Sequence, residues 1–434
     1  MPRLACRLPR TCHKRIADTV YLIIPPSSLP DCTTQTIPRQ NATMSGVACP
    51  KMQAIPEPYG LGRAERYEII RTVGRGAFGE VLLAWDTQAE RPPEISGNLR
   101  VVRRGHRQGG ERCRGYVALK TVASGVASGG GLSKGLVREL RALQMLQDCV
   151  HVVQLLDVYP KGSNAVLVLE YMPSDLAKVL DNSPSPLGEG DCKAFAIMLL
   201  RGLTFMHSFG LLHRDIKPSN LLISPGGVLK IADFGQTRTH AEPQARDYSH
   251  QVATRWYRAP ELLYGTRRYG FAVDVWAAGA VIGEMLAGRP LFQGRSDIDQ
   301  LHKTLQITGT PTEQSWPGAK DLPDYDKVYF ADIPPQEPEI VLQGSSREAR
   351  DLTWLMLRLD PQNRPSALEA LRHRFFLVAP EATPCHLIPI VNEKPRRGDF
   401  YLPGGTERGS RGEAYLDEGW SESWNVESED PRAI

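Results

Sequence analysis

The feature that most constrains the fold of this chain is a polar constellation near its middle. Residues 213–220 read HRDIKPSN, and residues 233–235 read DFG. Transfer of the γ-phosphoryl group of ATP to a hydroxyl group needs a carboxylate that orients the hydroxyl and accepts its proton, and oxygen ligands that hold Mg²⁺ on the phosphates. Asp215 suits the first role, and Asn220 and Asp233 suit the second. The constellation therefore predicts a site for phosphoryl transfer with ATP and Mg²⁺.

A glycine-rich segment precedes this constellation in the chain. Its pattern is G-x-G-x-x-G-x-V, and its residues are Val73, Gly74, Arg75, Gly76, Ala77, Phe78, Gly79, Glu80 and Val81. Glycines allow a backbone to close over phosphate groups without clashes from Cβ atoms. The same pattern also marks dinucleotide sites, where it opens a helix. Here it continues into the apolar run LLAW at residues 82–85, which favours a strand hairpin over the phosphates.

A lysine and a glutamate complete the expected site. Lys120 ends the apolar run VALK, and Glu139 lies in the helical pattern of residues 132–146. A single lysine on a strand is commonly a solvated edge charge. The position of Lys120 after an apolar run and before this helix instead favours a phosphate-binding lysine paired with Glu139. The tripeptide APE at residues 259–261 closes the segment that begins at Asp233.

Taken in order, these motifs resemble those of the protein kinases, and further segments resemble one branch of that family. The segments RWYRAPELLYG (255–265), DIDQL (297–301) and ITGTP (307–311) are similar to the cyclin-dependent kinases. The resemblance covers about three quarters of the chain. It implies an α+β bilobal protein kinase fold, with a small, mostly β N-lobe that carries one regulatory helix and a larger, mostly α C-lobe.

The resemblance also implies roles for single residues. Lys217 would join Asp215 and Asn220 as a catalytic residue, because a positive charge beside the γ-phosphate stabilises the charge that builds during transfer. An ion pair between Glu261 and Arg364 would be structural. The implied nucleotide-binding set adds to the glycine-rich segment the residues Ala118, Lys120, Glu139, Glu170, Met172, Asp175 and Leu222.

A phosphorylation site in the activation loop is implied as well. Ser249 aligns with the position that relatives phosphorylate, where they usually carry a threonine. A phosphate group brings a charge of about −1.5 to −2 and needs cationic partners. Arg138, Arg214 and Arg238 are similar to the arginine cluster that binds this phosphate in the family. The alternative is an unmodified surface serine.

Three departures from the family pattern bear on regulation. Ala77 and Phe78 replace the Thr-Tyr pair through which several cell-cycle kinases are inhibited, so that control should be absent. Gln236 follows the DFG tripeptide, where relatives carry leucine. Residues 131–136, GLSKGL, differ from the segment that contacts cyclins in the cell-cycle members. The need for a cyclin or cyclin-like activator is therefore left open.

The chain is expected to divide into three parts. Residues 1–66 form a flexible N-terminal extension, residues 67–378 the protein kinase domain, and residues 379–434 a flexible C-terminal tail. Within the domain, the N-lobe covers residues 67–172 and the C-lobe residues 173–378. Either Met44 or Met52 is an alternative start, because everything before them lies outside the kinase pattern.

An Arg/Gly-rich insertion at residues 86–115 interrupts the N-lobe. It is far longer than the 2–5 residues that a hairpin loop needs. We interpret it as a solvated loop; a basic interaction loop and an artefact of gene prediction are the alternatives.

Composition excludes several classes of partner. The chain is 41% hydrophobic and 23% charged with a net charge of +3, so it gives no reason to expect nucleic acid as a partner. No apolar run approaches the ~20 residues of a membrane span, so no membrane partner is expected. Eight cysteines are scattered without a C-x-x-C pair, which favours reduced thiols inside the cell.

The sequence therefore predicts a serine/threonine protein kinase dependent on ATP and Mg²⁺, and directed to sites that precede proline. Its expected partners are protein substrates, other kinases among them, and its expected location is the cytoplasm, the nucleus or the cilium, by resemblance. The rival hypothesis is a catalytically dead scaffold with a kinase fold. That rival requires the loss of Lys120, Asp215, Asn220 or Asp233, and all four are present.

Overall fold

The N-lobe is built on an antiparallel sheet whose strands contain β-branched and aromatic residues. The computed structural model describes residues 63–76, 79–89, 115–123, 133–240, 248–249 and 252–391. The sheet has the spatial order β1-β2-β3-β5-β4, and its strands are β1 (Tyr67–Gly76), β2 (Gly79–Asp86), β3 (Tyr116–Ala123), β4 (Leu155–Lys161) and β5 (Asn164–Glu170). Its register places Lys120 opposite both Val81 and Leu167.

One helix packs against this sheet. Helix α1 (Lys134–Met145) begins at Ser133, whose side chain accepts a hydrogen bond from the Leu136 backbone N–H at 3.3 Å. Such a cap satisfies one of the free N–H groups at a helix start. Leu136 and Leu143 are buried, and so is Glu139 on the same side of the helix. The apolar spacing of residues 132–146 had predicted this helix and its buried face.

The C-lobe is mostly helical, as expected for this fold class. Its helices are α2 (Leu176–Asp181), α3 (Glu189–Ser208), α4 (Pro260–Leu263), α5 (Ala272–Ala287), α6 (Asp297–Thr308), α7 (Pro338–Val341), α8 (Arg347–Met356) and α9 (Ala367–Ala370). Helix α5 is buried along nearly its whole length. It can approach α8 closely because Gly279 has no side chain: a Cβ atom there would lie 2.8 Å from the Met356 Cβ. Within the described ranges, no helix is long and apolar enough to cross a bilayer.

Short strand pairs hold the polar constellation in place. Strand β7 (Leu211–Leu212) pairs with β10 (Arg238–Thr239), and β8 (Leu221–Ile223) lies between β6 (Ser174–Asp175) and β9 (Leu229–Ile231). The HRD segment therefore lies between β7 and β8, and the DFG segment lies between β9 and β10. Because each of these strands is paired with another strand, both segments are fixed at each end.

An ion pair joins α4 to Arg364, which lies between α8 and α9. Arg364 donates two hydrogen bonds to the Glu261 carboxylate, each 2.7 Å long, and both side chains are almost fully buried. The Arg364 guanidinium also lies over the Trp276 ring, 4.9 Å from its centroid. The pair that the family resemblance implied is thus present in the structure.

The segment after Val378 differs from the expectation. Lys193 Nζ donates to the backbone oxygens of Val378 and Pro380, both at 2.7 Å. Further on, Cys385 and Ile388 are buried against the C-lobe. Residues 379–391 are therefore a packed strap, which the sequence had assigned to the flexible tail. The strap is held by backbone carbonyls and isolated side chains, so it leaves no periodic signal in the sequence.

The remaining parts of the expected termini and insertion cannot be compared with the structure. The N-terminal extension to residue 62, the insertion from 90 to 114 and the tail from 392 to 434 lie outside the described residues. The proposed domain limits at residues 67 and 378 stay predictions.

The strap should make one glycine of the β8–β9 turn irreplaceable. Gly227 has φ +79°, and a Cβ atom there would overlap the Cys385 carbonyl oxygen. We expect Gly227→Ala to lower the free energy of unfolding by roughly 2 kcal/mol, because a side chain strains this backbone and displaces the strap. Gly226→Ala is the matched control, since only Ser224 Oγ lies near its Cβ position, at 3.9 Å. Equal urea midpoints for the two variants would contradict this account.

Candidate active site

A buried lysine lies between two carboxylates. Lys120 Nζ is 2.7 Å from Glu139 Oε1 on α1 and 2.8 Å from Asp233 Oδ1 in the DFG segment. Burial alone would lower the pKa of the Lys120 ammonium, but the charges of Glu139 and Asp233 outweigh it and raise that pKa. The predicted pairing of Lys120 with Glu139 is present. The cation also joins the N-lobe helix to a segment that the sequence places far away.

The DFG segment is held by a buried aromatic ring. Asp233 has φ 64°, in the left-handed region, and is followed by a single 3₁₀ turn, Phe234–Gln236. Phe234 is fully buried and meets the His213 ring edge-on, with the ring centroids 5.2 Å apart. A non-glycine residue in this backbone region is unusual and costs energy. The buried Phe234 ring keeps this costly turn in place and with it the position of Asp233.

The Asp215 carboxylate has four hydrogen-bonding or ionic partners. Its Oδ1 accepts from the backbone N–H and the hydroxyl of Thr254, both at 2.9 Å. Its Oδ2 lies 2.9 Å from Lys217 Nζ and 3.0 Å from Asn220 Nδ2. The structure thus brings together the three residues that the sequence proposed as catalytic, Asp215, Lys217 and Asn220.

The surroundings of Asp215 keep it ionised. Burial alone would raise the pKa of its carboxyl group, but hydrogen bonding and charge from Lys217, with smaller effects of His213 and Thr254, hold that pKa below its usual value. An ionised carboxylate can orient a substrate hydroxyl and take up its proton. Its environment therefore suits the proposed base.

Thr254 is a residue of this site that sequence reasoning missed. Its hydroxyl donates to Asp215 and accepts from Lys217 Nζ at 2.8 Å, so it connects the acid and the lysine. Thr254 is 39 residues after Asp215 in the chain. No motif or spacing rule in the sequence pointed from Thr254 to Asp215.

A second buried carboxylate fixes the backbone of the HRD segment. Asp274 on α5 accepts hydrogen bonds from the backbone N–H groups of His213 at 2.9 Å and Arg214 at 2.8 Å. His207 Nε2 lies 3.1 Å from the same carboxylate. Burial would raise the pKa of Asp274, yet these partners, His207 first, keep it lowered. Arg214 has φ 69°, and the two bonds to Asp274 stabilise this uncommon conformation.

Several residues proposed for nucleotide binding are cross-strand neighbours, one group in the N-lobe sheet and one in the C-lobe sheet. In the N-lobe, Gly74 is opposite Val81, Val81 is opposite Lys120, and Ala118 lies two residues before Lys120 on β3. In the C-lobe sheet, Asp175 is opposite Leu222. Residues Ala77 and Phe78 lie outside the described parts, and so does the side chain of Arg75. For Gly76 and Gly79 the structure describes only their place in the strands.

Several of these side chains are already engaged. The Asp175 carboxylate caps α2, accepting from the Lys178 backbone N–H at 2.9 Å. The Glu170 carboxylate accepts from Lys230 Nζ at 2.6 Å and from the Gln154 backbone N–H at 2.8 Å. Because the Glu170 side chain is held in this way, the segment from Glu170 to Met172 would meet an adenine ring through its backbone, which is the role that the family resemblance implies for these two residues.

Two oxygen-bearing side chains fit a magnesium ion. The backbone N–H before Asp233, at Ala232, donates to the Asn220 carbonyl at 2.9 Å, which brings the two proposed ligand residues together. Asn220 Nδ2 donates to the Asp215 carboxylate and to the Asp215 carbonyl, so the amide oxygen is directed away from them. Mg²⁺ prefers oxygen ligands and is usually bound by one or two carboxylates together with substrate phosphates. Asn220 and Asp233 are a donor set of this kind.

The three proposed phosphate-binding arginines form a positive cluster. Burial, together with the charges of Arg214 and Arg138, lowers the pKa of Arg238 to about 10. Like charges this close must be balanced by an anion or kept apart by structure. Ser249 is exposed, and its carbonyl oxygen accepts a hydrogen bond from the Tyr269 hydroxyl. That hydroxyl in turn accepts from Arg214.

Comparison with known proteins agrees with this geometry. The family model described as "Protein kinase domain" matches residues 96–376. Cyclin-dependent kinase 20 of Homo sapiens is 43% identical over 316 residues, 73% of this chain and 84% of that protein. Cyclin-dependent kinase 20 of Pongo abelii is 41% identical over 349 residues, 78% of this chain and 94% of that protein.

Two more distant relatives extend the comparison. Cyclin-dependent kinase D-1 of Oryza sativa subsp. japonica is 39% identical over 340 residues, 78% of this chain and 73% of that protein. A chain of the CAK complex of Chaetomium thermophilum bound to ATP-gamma-S has a TM-score of 0.64 and 33% identity, and the match covers 75% of this chain and 95% of that chain.

The fold and the site define a protein kinase that uses ATP. The chain belongs to the cyclin-dependent kinases and is a serine/threonine protein kinase of that type. The expectations of a bilobal kinase fold and of this family are confirmed.

Lys120 allows a direct test of the buried ion pairs. We expect Lys120→Met to lower kcat roughly 100-fold or more, because Glu139 and Asp233 lose the cation that holds them together. Lys230→Met is the matched control, since Lys230 also has a carboxylate at 2.6 Å but does not bond to Asp233. Steady-state kinetics with labelled ATP would measure both. Equal turnover of the two variants would show that the Lys120 pairs are structural only.

Proposed function

We propose that Asp215 is the catalytic base of this kinase. A substrate hydroxyl placed at its carboxylate would be oriented for attack on the γ-phosphorus of ATP. The new oxygen–phosphorus bond forms as the bond to the β–γ bridging oxygen breaks, ADP departs, and the hydroxyl proton passes to Asp215. The observation that carries this proposal is the ionised Asp215 carboxylate, held by Thr254, Lys217 and Asn220.

Two lysines would supply positive charge to the phosphates. Lys217 Nζ lies between Asp215 and Thr254, beside the position of the attacking hydroxyl. Lys120, fixed by Glu139 and Asp233, would bind the phosphates farther from that hydroxyl. Asn220 and Asp233 would hold Mg²⁺, which neutralises phosphate charge when bound. Each of these groups acts where negative charge develops, so each lowers the barrier to transfer.

The rival hypothesis, a dead scaffold, finds no support in the site. A scaffold has no need for a lysine buried with two carboxylates or for a desolvated Asp215 that remains ionised. Buried charges of this kind are costly unless they are paired. Their retention in one connected arrangement favours an active enzyme.

We also propose that the substrate residue after the phosphorylated one is proline. Ala253 has φ 64°, and its carbonyl oxygen accepts from Arg258 Nη2 at 3.1 Å. Arg258 is itself held by Asp297, at 3.0 Å. A carbonyl occupied in this way gives the next substrate N–H no acceptor, and an unsatisfied N–H costs free energy. Proline has no N–H group and avoids that cost.

One kinetic experiment tests the function and this preference together. Matched peptides that carry Ser-Pro or Ser-Ala at one position are incubated with labelled ATP and the purified chain. We expect kcat/KM for Ser-Pro to exceed that for Ser-Ala by roughly tenfold, the value of one lost hydrogen bond. Asp215→Asn should lower turnover of both peptides by about 10²–10⁴-fold. Activity retained by Asp215→Asn would refute the base, and equal use of the two peptides would refute the proline preference.

We infer further that phosphorylation of Ser249 activates the enzyme. The Tyr269 hydroxyl joins the Ser249 carbonyl to Arg214, and the charges of Arg214 and Arg138 both lower the pKa of Arg238. A phosphate at Ser249 would bridge arginines from α1, the HRD segment and β10. Such a bridge orders an activation segment by charge-assisted hydrogen bonds.

The switch predicts a defect in turnover, with ATP binding little changed. We expect Ser249→Ala to lower kcat of the activated enzyme by about 5–150-fold, the range of a typical coupling free energy, with KM for ATP within twofold. Arg238→Ala should have the same effect, because it removes one of the phosphate partners. Mass spectrometry of active enzyme should find the phosphate on Ser249. Full activity of Ser249→Ala, with Ser249 unmodified in active enzyme, would refute the switch.

We also propose that this kinase has a cyclin-like protein activator and acts in a reducing compartment. The names of the relatives include cyclin dependence. Met145 at the end of α1, Val150 after it and Leu156 on β4 are apolar and exposed, which suits contact with a cyclin-like protein. Cys149 and Cys192 are free thiols and buried, as in proteins of the cytoplasm or nucleus.

A further inference from the structure

One tyrosine hydroxyl connects the HRD arginine to the activation segment. Tyr269 lies in the loop between α4 and α5 and is buried. Its hydroxyl accepts from Arg214 Nη1 at 2.7 Å and donates to the Ser249 backbone oxygen at 2.7 Å. The hydroxyl therefore accepts from one segment and donates to another, and 35 residues of sequence separate Arg214 from Ser249.

The neighbouring tyrosine holds the same segment by different contacts. The Tyr248 backbone N–H donates to the Arg267 carbonyl at 2.8 Å, and the Tyr248 hydroxyl donates to the Thr239 carbonyl at 2.9 Å. The Tyr248 and Tyr269 rings lie against each other, with centroids 5.2 Å apart. The Tyr248 hydroxyl thus fixes the segment to β10, and the Tyr248 ring lies 5.9 Å from the Arg214 guanidinium, whereas the Tyr269 hydroxyl bonds to Arg214 directly.

Two hydrogen bonds aim the Arg214 side chain, whose guanidinium also lies over the Tyr248 ring. Its Nε donates to the Gln236 carbonyl at 2.8 Å, and its Nη1 donates to Tyr269. The first contact fixes the stem beside the DFG segment, and the second fixes the outer end of the guanidinium beside Ser249. A guanidinium is a planar fork, so two contacts define its orientation. Without the Tyr269 hydroxyl, the outer end would lose the contact that directs it to Ser249.

We propose that Tyr269 is a positioning residue that holds Arg214 and Ser249 together before Ser249 is phosphorylated. This inference rests on the proposed role of Ser249. In the unmodified chain the hydroxyl does part of the work of the phosphate, because it bridges the HRD arginine and the activation segment. Once the phosphate is present, its charge-assisted bonds to arginine are stronger than the bonds of a neutral hydroxyl. The contribution of Tyr269 to turnover should then disappear.

Dependence on the phosphorylation state separates this role from a merely structural one. A hydroxyl that only stabilises the fold would matter equally in both states. A hydroxyl that substitutes for the phosphate matters in the unmodified chain alone. The comparison therefore needs the full chain with serine at position 249 and the full chain with phosphoserine incorporated there during translation.

Tyr269→Phe is the test variant, since it removes the hydroxyl and keeps the ring against Tyr248. In the chain with unmodified Ser249, we expect kcat to fall roughly tenfold, as for loss of a hydrogen bond to a charged group, with KM for ATP within twofold. In the phosphoserine chain, Tyr269→Phe and wild type should agree within twofold. Tyr248→Phe is the control: it removes a hydroxyl from the same segment and should leave kcat of the unmodified chain within twofold of wild type.

Different results would refute the positioning role of Tyr269 and the Ser249 switch. An equal loss for Tyr269→Phe in both phosphorylation states, or no loss in either, would refute the positioning role while leaving the Ser249 switch intact. If phosphoserine gives the wild-type chain no gain in kcat, the switch itself fails and the positioning role fails with it.

Discussion

Lys120 is the point at which separate parts of the chain become one site. It lies on a strand of the N-lobe sheet, and its ammonium group bonds to a carboxylate on α1 and to another in the DFG segment. Removing an ammonium group from water costs several kcal/mol, and this cost is offset only when both carboxylates are in place. The position of α1, the turn at Asp233 and the buried cation therefore depend on one another. A displacement of α1 would remove one carboxylate and leave Lys120 underpaired.

The backbone of the catalytic loop is stabilised by a different principle. Two of its N–H groups are directed at Asp274, a carboxylate buried inside the C-lobe, and this allows Arg214 to remain at a positive φ. Uncommon backbone conformations of this kind persist at functional sites because the surrounding structure over-determines them. Here the surrounding structure is α5, which is itself rigid through close packing against α8. The loop that carries Asp215 is thus held by a helix that is buried along nearly its whole length.

Much of this site could be predicted from the sequence, because its central residues lie in short motifs. Lys120, Glu139, Asp215, Asn220 and Asp233 were all proposed from spacing and residue type, and the structure brings them together. Thr254 and Tyr269 could not be found in that way. Their contacts cross tens of residues and depend on how loops fold back, which no local pattern records. The strap of residues 379–391 was missed for a related reason: it packs through backbone carbonyls, which every sequence supplies.

The distinction between side chain and backbone also applies at Gln236. The sequence departs from the family pattern at this position, where relatives carry leucine. In the structure, Arg214 bonds to the carbonyl oxygen of Gln236, a group that leucine would offer equally well. The connection from Ser249 through Tyr269 and Arg214 to the DFG turn is therefore independent of the side chain at position 236. That turn also carries Asp233, which bonds to Lys120, so hydrogen bonds and the covalent backbone from Asp233 to Gln236 together connect the activation segment with the buried cation. The hydrogen bonds along this connection are 2.7–2.8 Å long, so the activation segment and the buried cation are joined by short contacts at each step between segments.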